Sequence, residues 1–171
     1  MAKTVLPQPE LHTEPMRKSP KKPADPEALL KRMAGLCARS EQCTFDITTK
    51  LYKAGLPRDK REEIVEYLTA NRYLDDARFA RSFSSYKVRF SAWGKRKIRM
   101  ALAAKRISSD LIADALDAID ETDYAAALSR VMEAKKKDMD LTDREQRAKL
   151  YRSLLGRGFE SDIISKSLSS L

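Results

Sequence analysis

The 171-residue sequence has a single histidine and only five glycines. The histidine, His12, lies in a proline-rich N-terminal stretch, so neither a histidine-based catalytic triad nor a histidine-rich metal site is expected. Each glycine is either isolated or stands in a helix-end context, so no glycine-rich phosphate loop is present. These shortages argue against an enzyme. They also predict that the protein needs no cofactor or metal and has no small-molecule substrate.

Long apolar runs and paired cysteines are also missing. No stretch approaches the roughly 20 apolar residues that span a bilayer, and residues 1–15 contain no apolar segment of the kind found in secretory signals. The two cysteines do not make a disulfide framework. Cys37 is expected in the core and Cys43 as an incidental thiol in a turn. We expect a cytoplasmic protein with no membrane partner.

The sequence that remains favours helices throughout. Residues 1–24 contain five prolines and five basic residues and are predicted to form a disordered tail. After them, Ala, Leu, Lys, Arg and Glu dominate, and all are good helix formers. Pro26 suits the first turn of a helix with Asp25 as its N-cap. The prediction is therefore an all-α fold.

Three segments share one layout of two amphipathic helices separated by a short stop and a large apolar residue. They are residues 47–68, 98–116 and 150–168, and the last two superpose without gaps at an offset of about 52 residues. Each is preceded by another helical pattern, at 27–40, 76–89 and 122–136. We therefore predict three tandem three-helix repeats, at 25–72, 73–120 and 121–171, in an elongated, curved array.

The repeats also suggest where helices begin and end. Gly55 and Gly158 occupy positions where a helix ends with a left-handed residue. Arg106 stands at the equivalent place in the second repeat. Because a left-handed conformation costs a residue with a Cβ about 1–2 kcal/mol, a different stop is expected there. Thr142 and Glu145 have the spacing of a capping box.

The helix predicted at 76–89 carries several aromatic side chains at helical spacing. Phe79, Phe83 and Tyr86 fall in one sector, which favours burial in the core over stacking against nucleic-acid bases. Leu74 is predicted to pack against Phe79 across Asp75, the expected N-cap of this helix. Arginines occupy the opposite sector, which we expect to face a partner.

Positive charge is concentrated in residues 71–109. They contain eleven Lys and Arg against two Asp, a surplus equal to the +9 of the whole chain. A patch of this kind faces a polyanion or an acidic protein groove. Like charges four residues apart on a helix, as at Lys95 and Arg99, repel each other when unpaired. The candidate binding residues are Arg78, Arg81, Arg89, Lys95, Arg96, Lys97, Arg99, Lys105 and Arg106.

With these residues identified, the chain resembles the RecX family of recombinase regulators. The resemblance rests on residues 73–81, with the sequence YLDDARFAR, on Gly94 with the aromatic residue before it, and on the basic helix that runs into Lys105, Arg106 and Ile107. It is strongest over residues 73–119 and thins to a helical pattern elsewhere. Members of the family commonly carry Lys-Gly-Ile where this chain has Lys-Arg-Ile.

The resemblance implies a non-enzymatic, all-α protein that binds RecA nucleoprotein filaments. Such proteins lie in the helical groove of the filament and restrain its ATPase, strand exchange and coprotease activities. The basic residues would contact DNA, single- or double-stranded, within it. A general helical nucleic-acid-binding protein is the alternative, and a scaffold for protein partners is a third possibility. The serine-rich end of the third repeat is compatible with a monomer.

Overall fold

The computed structural model describes residues 25–137 and 139–170, which form nine α-helices and contain no strand. The all-α prediction is confirmed, whereas the predicted tail, residues 1–24, lies outside the described residues. The predicted helices at 27–40, 76–89 and 122–136 are α1, α4 and α7. In order, the helices are α1 (Pro26–Arg39), α2 (Thr44–Lys53), α3 (Arg58–Ala70), α4 (Asp76–Ser91), α5 (Lys95–Ala104), α6 (Ser109–Asp117), α7 (Glu121–Lys136), α8 (Arg144–Gly156) and α9 (Ser161–Ser169).

The helices form three successive triplets, called here repeat one (α1–α3), repeat two (α4–α6) and repeat three (α7–α9). The same backbone hydrogen bond closes the second helix of each triplet. The amide of Leu56 donates to the carbonyl of Leu51 at 3.2 Å, and Ile107 donates to Leu102 at 3.2 Å. In repeat three, the amide of Phe159 donates to Leu154 at 3.3 Å. All six side chains are buried, so the repetition extends to individual core positions.

The residue before each of these donors is left-handed in all three repeats. Gly55 has φ 84°, Gly158 has φ 91° and Arg106 has φ 58°. The expectation of a different helix stop at Arg106 is therefore wrong. Burial of Ile107 against the core, together with the closing hydrogen bond, outweighs the cost of about 1–2 kcal/mol for a left-handed residue that carries a Cβ.

The start of α8 also differs from the prediction. Asp143, not Thr142, is the N-cap, and its carboxylate accepts a hydrogen bond from the amide of Glu145 at 2.8 Å. The hydroxyl of Thr142 instead donates to Asp140 at 2.7 Å. Both Thr and Asp are good capping residues. The chain uses Asp143 because the preceding turn already engages Thr142.

Two apolar clusters form the core. The first lies within repeat one and includes Leu74, whereas the second extends through repeats two and three and includes Phe79. The predicted contact between Leu74 and Phe79 is therefore wrong, since Leu74 packs back onto repeat one. The residues of the first cluster are Met33, Ile47, Leu51, Leu56, Ile64, Leu68 and Leu74.

The two cysteines have the opposite environments to those predicted. Cys43 is fully buried in the second cluster, while Cys37 is only partly buried beside the first. Cys43 is the N-cap residue of α2, and this end of α2 packs against repeat two. Burial raises the pKa of Cys43 to about 11 and also raises the pKa of Cys37. Both thiols are therefore protonated at neutral pH and are weak nucleophiles.

The buried face of α4 is narrower than predicted. Ala80, Ser84 and Val88, spaced four residues apart, are almost completely buried, because α4 packs between α6 and α7. Phe79 is buried beside them, but Phe83 is only partly buried. Tyr86 is 56% exposed, so the prediction that it packs in the core is wrong. The stripe centred on Ser84 turns Tyr86 towards solvent.

Candidate binding surface for a polyanion or filament

The two aspartates in residues 73–81, Asp75 and Asp76, both cap helices. Asp75 caps its own helix, α4, by accepting a hydrogen bond from the amide of Arg78 at 2.9 Å. This hydrogen bond lowers the pKa of Asp75 below its ordinary value. Asp76 instead accepts from the amide of Thr44 at 2.8 Å. It thereby caps α2 of repeat one, whose own N-cap residue, Cys43, provides no side-chain hydrogen bond.

Two ion pairs join the same two repeats. Nε of Arg78 lies 2.6 Å from Oε1 of Glu41, and Nζ of Lys105 lies 2.6 Å from Oδ2 of Asp46. We call these two ion pairs and the Asp76 cap the first junction. Two of the nine candidate residues are thus held by carboxylates of repeat one and are less available to an external anion.

Repeats two and three meet through their backbones. The amide of Gly94 donates to the carbonyl of Arg157 at 2.9 Å, and the amide of Arg96 donates to that of Gly158 at 3.1 Å. A Cβ on Gly94 would lie 2.1 Å from the carbonyl carbon of Gly158, and one on Gly158 would lie 2.4 Å from Cβ of Lys97. Glycine is required at both positions for the backbones to approach this closely. We call this contact, with the hydrogen bonds of Tyr124, the second junction.

Tyr124 completes the second junction. Its hydroxyl accepts from the amide of Lys95 at 3.0 Å and donates to Oε2 of Glu160 at 2.5 Å. Burial, reinforced by the hydrogen bond to Glu160, raises the pKa of Tyr124 well above its ordinary value. Three successive amides at the start of α5 therefore have partners in repeat three. The N-terminus of α5 is anchored and is not open to a ligand.

Arg89 is a third candidate residue engaged within the protein. Its Nε lies 2.6 Å from Oδ2 of Asp123 on α7. The pair is more exposed than the ion pairs of the first junction, with 55% of the Arg89 side chain accessible. Surface pairs of this kind contribute at most about 1 kcal/mol, and a polyanion could displace Asp123.

The remaining candidate residues divide into two groups. Arg81, Arg96 and Arg99 are exposed, and within residues 25–137 and 139–170 none of them forms an ion pair. The others rest on aromatic rings, an arrangement that fixes a cation while leaving it charged. Lys95 lies 5.4 Å from the ring centroid of Tyr124, Lys97 lies 4.6 Å from that of Trp93, and Arg106 lies 5.0 Å from that of Phe45.

Sequence reasoning missed the residues that neutralise part of the patch. Glu41 and Asp46 lie within residues 25–70, whose charges sum to zero, and nothing in their spacing indicates that they pair with residues 37 and 59 positions away. It also missed Phe90, which is 73% exposed. The sequence does place Phe90 four residues after Tyr86 and so on the same face of α4, but the aromatic spacing predicts Tyr86 in the core.

None of the described helices is long and apolar enough to cross a membrane. Within the same part of the chain, no group of three or more His, Cys, Asp or Glu side chains could hold a metal ion.

The fold and this surface define a helical-repeat protein with a basic face, in which junction residues are distinct from exposed cations. Residues 75–116 match the second three-helix domain of RecX, and residues 121–168 match the third. Regulatory protein RecX of Prosthecochloris aestuarii is 30% identical over 86% of this chain and 96% of its own length. The chain belongs to the RecX family of regulatory proteins.

Other relatives agree with this assignment. Regulatory protein RecX of Pseudomonas fluorescens is 33% identical over 78% of this chain and 85% of its own length. Regulatory protein RecX of Lactobacillus johnsonii is 28% identical over 94% of this chain, which spans only 59% of that longer protein. The family resemblance inferred from residues 73–81 is confirmed.

Solved structures support the fold. The crystal structure of RecX from Lactobacillus salivarius matches with a TM-score of 0.70 at 20% identity, covering 85% of this chain and 97% of that one. A second crystal structure of regulatory protein RecX gives a TM-score of 0.73 at 21% identity, covering 85% and 72%. The helical repeat array predicted from the sequence is therefore confirmed.

Proposed function

We propose that this chain binds RecA nucleoprotein filaments and restrains their ATPase, strand exchange and coprotease activities, acting in recombination, DNA repair and the SOS response in the cytoplasm. The observation that carries the proposal is the similarity to proteins named regulatory protein RecX, one of them over 96% of its length. The chain acts by binding and not by catalysis. No cofactor is needed for this, and a monomer suffices.

The exposed cations suggest how the filament is contacted. Arg81, Arg96 and Arg99 are the candidate residues whose side chains form no ion pair in the described part of the chain, and we propose that they meet the phosphates or the acidic surface of the filament. Lys95, Lys97 and Arg106, fixed on aromatic rings, would widen this basic surface. Because neutralised phosphates release counterions, binding should weaken steeply as salt is raised.

The test is RecA ATP hydrolysis on single-stranded DNA, titrated with this protein. We expect inhibition well below one molecule per RecA monomer, since a protein that spans neighbouring subunits or stops a growing end acts substoichiometrically. Failure of the wild-type protein to inhibit RecA from its own organism would overturn the proposal. A general nucleic-acid-binding protein, favoured by the same basic face, would then remain, and it would bind DNA equally well with or without RecA and ATP.

A charge-reversal variant tests the surface. Arg81→Glu, Arg96→Glu and Arg99→Glu together should abolish inhibition, because these side chains are exposed and lie outside both junctions. The matched control applies the same change in charge to three exposed bases on other helices: Arg32→Glu, Lys149→Glu and Arg152→Glu. If the two variants inhibit equally, the proposed surface is wrong. Arg78 and Lys105 are left unchanged because their reversal would disrupt the first junction.

A further inference from the structure

Two large aromatic side chains project into solvent from α4. Tyr86 is 56% exposed and Phe90 is 73% exposed, and their ring centroids lie 4.9 Å apart with an angle of 37° between the ring planes. They are four residues apart and therefore share one face of the helix. Adjacent exposed rings of this size are a feature of interaction sites.

Basic side chains surround this aromatic pair. Phe90 borders a groove of about 310 Å³ between the end of α4 and the helix α7. Arg130, Lys135 and Arg157 line the groove, and none of its lining residues in the described part of the chain is acidic. Nζ of Lys87 lies 5.8 Å from the ring centroid of Tyr86, although it is nearer to that of Trp93, at 4.6 Å. The groove and the rings together suit a partner that is anionic and has flat apolar groups.

Both arginines of the groove are held in place by the backbone of α4. Nη2 of Arg130 donates to the carbonyl of Arg89 at 2.5 Å and to that of Val88 at 3.3 Å. Nη1 of Arg157 donates to the carbonyl of Ser91 at 3.2 Å. A guanidinium has five N–H groups, so each retains donors for an incoming phosphate. Their orientation is fixed before binding, which lowers the entropic cost of association.

We infer that Tyr86 and Phe90 form a stacking platform for the unpaired bases of single-stranded nucleic acid, with Arg130, Lys135 and Arg157 contacting its phosphates. Bases stack on aromatic side chains regardless of sequence, and a basic groove tracks the backbone. Duplex DNA fits poorly because its bases are already stacked. An acidic protein segment would form ion pairs with the basic side chains but would have no flat rings to stack on Tyr86 and Phe90.

This inference goes beyond the proposed function, because it assigns base stacking to two residues outside the proposed filament surface, and it requires no recombinase. The test compares two labelled oligonucleotides of about 15 nucleotides, a length within the usual range for such sites. One is oligothymidylate and the other is abasic, with the same phosphates and no bases. We expect fluorescence anisotropy to show that the wild-type protein prefers oligothymidylate by about tenfold or more, the effect of stacking one or two bases.

The variant Tyr86→Ala/Phe90→Ala should lose this preference. Its affinity for oligothymidylate should fall to that for the abasic strand, while its abasic affinity and salt dependence stay unchanged. The control variant Tyr52→Ala/Tyr67→Ala, which removes two exposed rings from repeat one, should retain the preference. Because all four side chains are exposed, melting temperatures should stay close to that of the wild type.

Two results would overturn the inference. One is equal affinity of the wild-type protein for both strands. The other is a Tyr86→Ala/Phe90→Ala variant that still prefers oligothymidylate to the abasic strand. If that variant also fails to inhibit RecA, the two rings bind a protein and not nucleic-acid bases. Failure of the proposed function has a different outcome, in which the wild-type protein prefers bases but leaves the RecA ATPase unchanged.

Discussion

The first junction joins repeats one and two through side chains, whereas the second joins repeats two and three mainly through direct backbone contact, to which the hydroxyl of Tyr124 is added. At the first, Arg78 pairs with Glu41 and Lys105 with Asp46. At the second, Gly94 and Gly158 bring two main chains into direct contact. The core shows the same contrast, because repeat one has an apolar cluster of its own while repeats two and three share theirs.

This difference indicates that the two junctions respond differently to solution conditions. Partly exposed ion pairs are weak and are screened by salt, while buried backbone contacts are not. Cys43 and the Asp76 cap add packing and a hydrogen bond to the first junction. We therefore expect repeats two and three to behave as one unit, with repeat one attached less firmly and more weakly at high salt.

The largest effect is expected for Gly94→Ala. The new Cβ would overlap the backbone at Gly158, which no side-chain rotation can relieve. Because φ at Gly94 is −79°, alanine can adopt the local backbone conformation without strain. The substitution therefore tests only the clash between the new Cβ and Gly158. The free energy of unfolding should fall by about 3 kcal/mol or more, at the upper end of overpacking penalties, as measured by urea denaturation.

Gly35→Ala is the control for this substitution. Gly35 lies within α1, and a Cβ there would meet nothing within 4 Å. The change should stabilise the protein by up to about 1 kcal/mol through helix propensity. If Gly94→Ala lowers the free energy of unfolding no more than Gly35→Ala does, the two backbones do not approach each other as closely as described.

Tyr124→Phe should have the next largest effect. It removes the hydroxyl that joins Lys95 to Glu160 and should cost about 1.5–3 kcal/mol, as for hydrogen bonds to charged groups. Folding raises the pKa of Tyr124, so its contribution is fully present at neutral pH. That contribution is lost as the pH rises above the ordinary tyrosine value of about 10. The stability difference between wild type and variant should therefore shrink in strongly alkaline denaturation experiments.

Asp76→Ala probes the first junction. Loss of the carboxylate that caps α2 should lower the free energy of unfolding by about 1 kcal/mol. Asp76→Asn retains a hydrogen-bond acceptor for the amide of Thr44 and should therefore keep most of the stability that Asp76→Ala loses. Hydrogen exchange should locate the weakening at the start of α2. Equal losses for both substitutions would contradict the capping role.

The smallest effect is expected for the ion pairs. A double-mutant cycle of Arg78→Ala and Glu41→Ala should give a coupling energy of about 0.2–1 kcal/mol that decreases as salt is added. The Lys105–Asp46 pair, with both side chains only 27% exposed, should couple more strongly. The same cycle on Lys60 and Glu63, a pair within α3, provides the control. Coupling energies that do not change with salt would remove the proposed contrast between the junctions.

Much of the fold could be predicted from the sequence because it depends on local patterns. Helical periodicity located α1, α4 and α7 to within about two residues, and the offset of 52 residues matched Leu102 to Leu154 and Ile107 to Phe159. The left-handed conformation of Arg106 was missed. Local propensity opposes that conformation, and the tertiary burial of Ile107 that imposes it is not visible in a short window of sequence.

The binding surface was harder to predict, because charge in a sequence does not show which cations are already paired. Arg78, Arg89 and Lys105 belong to the basic segment, yet each has a carboxylate partner in another repeat. Those partners are 34 to 59 residues away. Tyr86 was assigned to the wrong face because α4 packs against both α6 and α7, which shift its buried stripe. Contacts at this range require the three-dimensional structure.

The contact between Gly94 and Gly158 has a mechanical consequence. With no side chain between the two main chains, no change of rotamer can absorb a displacement, so a force on the start of α5 is transmitted directly to the turn between α8 and α9. The segment from α4 to α9 should move as one rigid body, while the first junction lets repeat one move more freely relative to it. On a helical partner whose pitch varies, such a molecule would stay bound through repeats two and three, while repeat one moves to accommodate the change in pitch.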